Sequence, residues 1–222
     1  MAITIAARAI KRISIIDDQA PVRESYEFSV EELGVEPVSE AGPLTPLAVF
    51  VKDVIQRAQA AICDYNLKVR DYSPFNGAEL AAAFYKSHFP AVLCTKWHSA
   101  SIDDMRPYRR FIPLLVDPAK LDPSSIKSGI EACIREFGGE FLTVRRPWRT
   151  LVRVEDKRTS DQGVTFLYVV VPAWNSNEVV RLPSQIMPPK LLDELRPGSR
   201  LHAKVNLGAN GNEELFFEDW EN

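Results

Sequence analysis

Ile13-Ser14-Ile15-Ile16-Asp17-Asp18 is a short, β-branched apolar run that stops at two adjacent carboxylates. Such a run suits a buried strand. The pattern recurs twice: Ala60 to Cys63 ends at Asp64, and Ala91 to Cys94 ends at Thr95. Helical spacing fills the gaps. Pro21 suits a first helical turn, Val22, Tyr26, Val30 and Leu33 follow at helical intervals, and Gly34 closes the segment. Val35 to Val38 is a second strand. Pro46 starts a second helix with Val49, Phe50, Val54 and Ile55 on its apolar side, and Gly77 to Phe84 forms a third. A short helix is expected near Ile102 to Arg110. Phe111 to Val116 is a fifth strand, placed at a sheet edge by Pro113, which cannot donate a ladder hydrogen bond. A last helix runs from about Pro123 to Phe137, and Gly138-Gly139 ends it.

Five β-α repeats with short buried strands predict an α/β fold, a five-stranded parallel, doubly wound sheet with helices on both faces. Right-handed crossovers send ligand chemistry to the carboxyl ends of such strands, near a topological switch point. Asp17, Asp18, Asp64 and Thr95 all fall at those ends. Carboxylates gathered there are costly to ionise together unless a cation sits among them, and oxygen ligands favour Mg²⁺. Asp64 is then the candidate nucleophile toward a phosphoryl donor. Asp17 and Asp18 hold the metal with Asp64 and the backbone carbonyl of Asn66, and Thr95 supplies a hydroxyl to the phosphoryl group.

Ile-Ile-Asp17-Asp18, Ile-Cys-Asp64-Tyr-Asn-Leu, Leu-Cys-Thr95 and Asn76-Gly77-Ala-Glu-Leu80 together resemble the receiver (CheY-like) domain of response regulators, over roughly residues 11–138. The resemblance implies Mg²⁺-dependent acceptance of phosphate on Asp64 from a sensor histidine kinase or phosphotransfer protein, with Thr95 drawn inward as the switch. It departs from the family at one position. The family places a lysine directly after the fifth strand, where this chain has Asp117-Pro118. Lys120 is the candidate substitute, close enough in sequence to reach back, and Lys96 follows Thr95. A carboxylate at 117 is expected to repel a phosphorylated Asp64. Lys68 to Phe75 reads as an insertion that partly covers the site. The family's switch aromatic has no counterpart near Leu114-Leu115, and Phe111 and Tyr108 are read as surface packing.

The chain has 222 residues, enough for two small domains. Residues 1–140 are read as the receiver, 141–148 as a linker and 149–222 as a small β-rich domain. The strands expected there are Arg149 to Asp156, Val164 to Val171, Glu178 to Leu182, Leu201 to Leu207 and Leu215 to Glu218, with one short helix near Lys190 to Leu195. They suggest a small barrel or sandwich, one form being the oligonucleotide/oligosaccharide-binding barrel. From residue 141 onward the chain carries 11 Lys/Arg and 11 Asp/Glu, so this domain is not a basic module. Net charge is −3, which gives no global pull toward nucleic acid or anionic membrane. Arg145-Arg146-Pro147-Trp148-Arg149 mixes basic and aromatic groups but reads better as a linker than as a strand-binding patch. Phe166, Tyr168, Trp174, Phe216, Phe217 and Trp220 read as barrel core rather than a stacking platform. His98, three residues past Thr95, reads as a loop residue.

No apolar run is long enough to span a bilayer. Three widely spaced cysteines show no zinc-binding spacing and fit a reducing, cytoplasmic setting. The functional expectation is a phosphorelay signalling protein, not an enzyme beyond Mg²⁺-dependent self-phosphorylation and dephosphorylation, whose β-rich domain acts on an unknown downstream protein. One alternative is a non-phosphorylated receiver-like adaptor that binds a partner. Another is single-stranded nucleic-acid binding by the C-terminal domain.

Overall fold

The computed structural model describes residues 2–96, 102–161 and 163–221. Packing divides the chain into two units, 1–100 with 111–140, and 101–110 with 141–222. The first unit opens with a hairpin of β1 (Ile3–Ile5) and β2 (Arg8–Ile10). Its turn residues Ala6 and Ala7 both lie at positive φ, 43° and 64°, the left-handed pair that a two-residue hairpin requires. Ile5 and Ile10 are buried, so the apolar start of the chain joins the core. There follow β3 (Arg12–Ile16), α1 (Ala20–Glu32), β4 (Glu36–Glu40), α2 (Leu47–Arg57), β5 (Ala60–Asp64), α3 (Gly77–Lys86) and β6 (Ala91–Cys94). The chain passes through α4 (Ile102–Met105), part of the second unit, and returns for β7 (Leu115–Val116) and α5 (Pro123–Phe137).

The five strands β4-β3-β5-β6-β7 pair in parallel. Counted along the chain this is the order 2-1-3-4-5, the flavodoxin-like doubly wound arrangement, whose switch point lies between β3 and β5. Residues 13–16 and 60–63 are buried without alternation, as expected of strands covered on both faces. Ile13, Ile15, Ile62 and Val92 pack with Tyr26 and Val30 of α1 and with Ile126 and Ile130 of α5. β7 is the edge strand, shorter than expected, and Pro113 lies outside it.

The second unit contains β8 (Trp148–Thr159), β9 (Thr165–Val171), β10 (Asn175–Pro183), α6 (Pro189–Glu194), β11 (Arg200–Val205) and β12 (Phe217–Glu221). They form one antiparallel sheet in the order β10-β9-β8-β11-β12. The unit is all-β as expected, an antiparallel sheet that is not specifically the oligonucleotide-binding barrel. β10 and β12 end the strand order among the described residues. Val152, Val154, Leu167, Val169, Leu201 and Ala203 make the core with Met187 and Leu195. Phe216 and Phe217 are buried, while the indoles of Trp174 and Trp220 donate to the carbonyls of Ala209 and Ile186 at 2.9 and 3.0 Å. Phe166 and Tyr168 lie under the guanidinium groups of Arg181 and Arg158.

Residues 101–110, read from sequence as part of the receiver, belong to this second unit, as do 141–148, read as a linker. Arginine side chains explain both. Arg106 is buried and donates through Nη1 to the carbonyls of Asn212 and Leu215 at 2.8 and 3.2 Å. Burial lowers its pKa to about 10 against the opposing charges of Asp103 and Glu213. Asp103 pairs with Arg181, and Arg110 Nε donates to Glu218 at 2.8 Å. Arg145, also buried, donates to the carbonyls of Arg109 and Arg110 at 3.4 and 2.8 Å. Arg106→Ala leaves two carbonyls without their donor and should destabilise the second unit by about 2 kcal/mol. Urea unfolding followed by fluorescence of Trp148, Trp174 and Trp220 checks this; an unchanged midpoint would show that these bonds contribute nothing net.

Candidate functional site

Parallel register assembles the site. Ile16 pairs with Cys63 and Asp64 with Cys94, so the residues that follow β3 and β6, Asp17 and Thr95, flank the end of β5. Ladder-like bonds continue past the strands: Tyr65 N–H donates to the Cys94 carbonyl at 3.0 Å, and Thr95 N–H to the Val116 carbonyl at 2.9 Å. The resulting cleft, of ≈ 260 Å³, is lined by Asp17, Asp64, Asn66, Thr95 and Lys96, with Gln19, Val22, Tyr26 and Pro118 completing its wall. Asp17 and Thr95 are 2% and 3% exposed, so this chemistry sits at the floor rather than the rim.

Each carboxylate is held by its own loop. Asp17 Oδ1 accepts from Gln19 N–H at 2.8 Å, and Asp64 Oδ2 from Asn66 N–H at 2.6 Å. Arg23 donates to the Asp17 carbonyl at 2.5 Å. Burial pushes the Asp17 carboxyl up to about 6, against the Gln19 bond, and the charges of Asp64 and Asp18 push the same way. Burial likewise raises Asp64, opposed by the N–H groups of Asn66 and Tyr65 and reinforced by Asp18. A cation would reverse this repulsion. Two carboxylates are the kind of donor set that Mg²⁺ takes while keeping several waters, so Asp17 and Asp64, with Asn66 beside them in the lining, fit that ion.

Asp18 occupies a different place. It lines a second cleft, of ≈ 370 Å³, with Gly42, Pro43, Arg70, Asp71 and Tyr72. Among the described residues no three Asp, Glu, His or Cys side chains gather as one ligand group, so the expected carboxylate trio is a pair with a third charge nearby. Arg70, Asp71 and Tyr72 of the insertion around Lys68 to Phe75 line that second cleft. Tyr72 donates through its hydroxyl to the Glu40 carbonyl at 2.7 Å, and its own carbonyl accepts from Leu44 N–H at 2.7 Å.

The residues after β7 also depart from expectation. Asp117 caps the short turn Pro118–Lys120, accepting from Ala119 N–H at 3.0 Å, and lies outside the acidic cleft. Lys120 is exposed on that turn and also lies outside the cleft. Lys96, which follows Thr95, lines it. Gln19, Tyr26 and Pro118 are wall residues that sequence reading left unassigned. His98 lies outside the described residues.

No family model matches the chain, and no curated protein does. Among solved structures, a response regulator receiver domain protein from Clostridium thermocellum is 12% identical, covering 58% of this chain and 97% of that one at a TM-score of 0.43. The chemotaxis protein CheY4 of Vibrio cholerae is 15% identical, covering 54% and 95% at 0.39. SdrG of Pseudomonas melonis Fr1, in its BeF3-activated conformation, is 19% identical, covering 55% and 95% at 0.37.

Proposed function

We propose that the first unit is a receiver that accepts a phosphoryl group on Asp64. The observation that carries this reading is the convergence of Asp17, Asp64, Thr95 and Lys96 on one cleft at the switch point of a parallel sheet. An Asp64 carboxylate oxygen attacks phosphorus, the P–O or P–N bond to the donor breaks, and its electron pair leaves with the donor. The Thr95 hydroxyl and the Lys96 ammonium face the phosphoryl oxygens, where negative charge is held during transfer. Mg²⁺, held by Asp17, Asp64 and the Asn66 carbonyl, would neutralise charge on the transferring group. The donor is a sensor histidine kinase or phosphotransfer protein, and a downstream protein reads the two states.

Intact mass after incubation with Mg²⁺ and acetyl phosphate tests the reading. The wild type should gain one phosphoryl group and Asp64→Ala none. A wild type that gains nothing, and binds no phosphoryl mimic, leaves the adaptor role, which the missing lysine after β7 favours.

A further inference from the structure

The chain contains two Asn-Gly pairs, Asn76-Gly77 and Asn210-Gly211. Such a pair is chemically labile, because glycine has no Cβ to shield its backbone nitrogen from the preceding asparagine Cγ. The two pairs stand in different surroundings. Asn76 is the N-cap of α3, and its Oδ1 accepts from Glu79 N–H at 2.8 Å. Gly77 is buried, and its N–H donates to the Tyr65 carbonyl at 2.9 Å. The amide and the nitrogen that would attack it are thus both engaged elsewhere. Asn210 is exposed, and among the described residues no protein group accepts from Gly211 N–H. The backbone N–H and the Nδ2 of Asn210 both donate to Glu214 Oε2, at 3.0 and 3.3 Å.

We propose that Asn210-Gly211 is a site of spontaneous deamidation, and that conversion there loosens the turn that holds residues 102–110 in the second unit. The Gly211 nitrogen attacks Asn210 Cγ, and the new C–N bond closes a succinimide ring. The Cγ–Nδ2 bond breaks, and ammonia leaves with the proton from the Gly211 nitrogen. Water then opens the ring to aspartate or, by attack on the other carbonyl, to isoaspartate. Either product places a carboxylate where Glu214 Oε2 had an amide donor, so a bond is replaced by like-charge repulsion. The turn matters because of Asn212, two residues on. Its carbonyl accepts from Arg106 Nη1 at 2.8 Å, and its Nδ2 donates to Glu178 at 2.8 Å. The inference concerns the second unit alone and stands apart from the receiver reading.

The full chain is incubated in mildly alkaline buffer, and peptide mapping by mass spectrometry follows the amide-to-acid mass gain at each asparagine. Asn210 should convert first, with Asn76 at least about tenfold slower because it reacts only when the start of α3 opens locally. Gly211→Ala should slow conversion at Asn210 by a comparable factor. Its new Cβ meets only the Glu213 carboxylate, the far end of a flexible side chain, so the fold is kept. Asn210→Asp supplies the product charge directly. It should lower the urea midpoint read by Trp174 and Trp220 fluorescence and raise hydrogen exchange across 102–110. Conversion at Asn210 no faster than at Asn76 overturns the site. An unchanged midpoint and unchanged exchange in Asn210→Asp overturn the consequence for the turn.

Discussion

Gly77→Ala is expected to destabilise the parallel-sheet unit by about 3 kcal/mol and to weaken any chemistry at Asp64. A Cβ on Gly77 would stand 1.9 Å from the Asp64 carbonyl oxygen, 2.8 Å from its carbon and 2.9 Å from Tyr65 Cα. All three obstacles are backbone, so no side chain can rotate out of the way. Retreat of α3 is blocked as well. Gly77 N–H donates to the Tyr65 carbonyl at 2.9 Å, and the Asn76–Glu79 capping box fixes the first turn. Relief therefore displaces the strand end that carries the nucleophile, and misplacement by about 1 Å can cost two orders of magnitude in rate. Urea unfolding gives the stability change, and intact mass with acetyl phosphate gives the chemistry. Gly34→Ala is the control: its φ is +73° but nothing lies within 4 Å of the new Cβ, so only left-handed strain of about 1 kcal/mol applies. Equal losses in the two variants would remove the close-approach explanation.

The first unit was legible because its signals are local. Strands β3, β5 and β6 are short apolar runs, and the polar residues at their carboxyl ends meet because parallel register aligns those ends. Legibility failed where backbone and side-chain geometry, rather than residue order, decides which groups meet. Lys120 was read as a substitute for the lysine that Asp117 replaces after the fifth strand, but Asp117 caps the turn by accepting from Ala119 N–H and Lys120 is exposed on it. Lys96, adjacent to Thr95, lines the cleft instead. The β1–β2 hairpin was invisible because Ala6-Ala7 lacks the Asn-Gly or Asp-Gly signal of such turns. Tyr26 was placed correctly on the apolar side of α1, but periodicity reports a ring's burial and not where its hydroxyl points.

Periodicity also misplaced part of α2. Val49 and Ile55 were read as core, yet they are 50% and 36% exposed, and the buried stripe is Phe50, Val51 and Val54. In the second unit the strands were readable as alternating runs, but closure was not, because it depends on which distant strands pair. β12 begins at Phe217 rather than Leu215 because Phe216 N–H donates to the Asn206 side chain at 2.8 Å instead of entering a ladder. The segment 101–110 was assigned by chain order alone. Its attachments are arginine side chains bonded to residues 35 to 109 positions away, which no local pattern encodes.

Asp17→Asn is expected to stabilise the metal-free protein by about 3 kcal/mol at pH 7.5 and by almost nothing at pH 4. Asp17 has a folded pKa of about 6 against an ordinary 3.8, so the folded state binds this proton more tightly than the unfolded chain does. The stability it contributes is full below about pH 3.8 and is lost as pH rises through about 6. Above that point the folded protein carries a desolvated carboxylate facing Asp64 and Asp18, with Arg23 as the opposing charge. Asparagine keeps an oxygen to accept from Gln19 N–H and removes the charge. Asp64 is raised for similar reasons, so the variant retains a residual slope of the same sign. Urea midpoints from pH 4 to pH 8 in EDTA measure both slopes; parallel curves would show that Asp17 is not the group responsible. Millimolar Mg²⁺ should then stabilise the wild type more at pH 7.5 than at pH 5, since a cation binds the ionised pair, and this gain should be largely lost in Asp17→Asn. A wild type that responds to pH as expected but not to Mg²⁺ would mean that the pair repels without holding an ion, which links the cost of this cleft directly to whether it is a metal site.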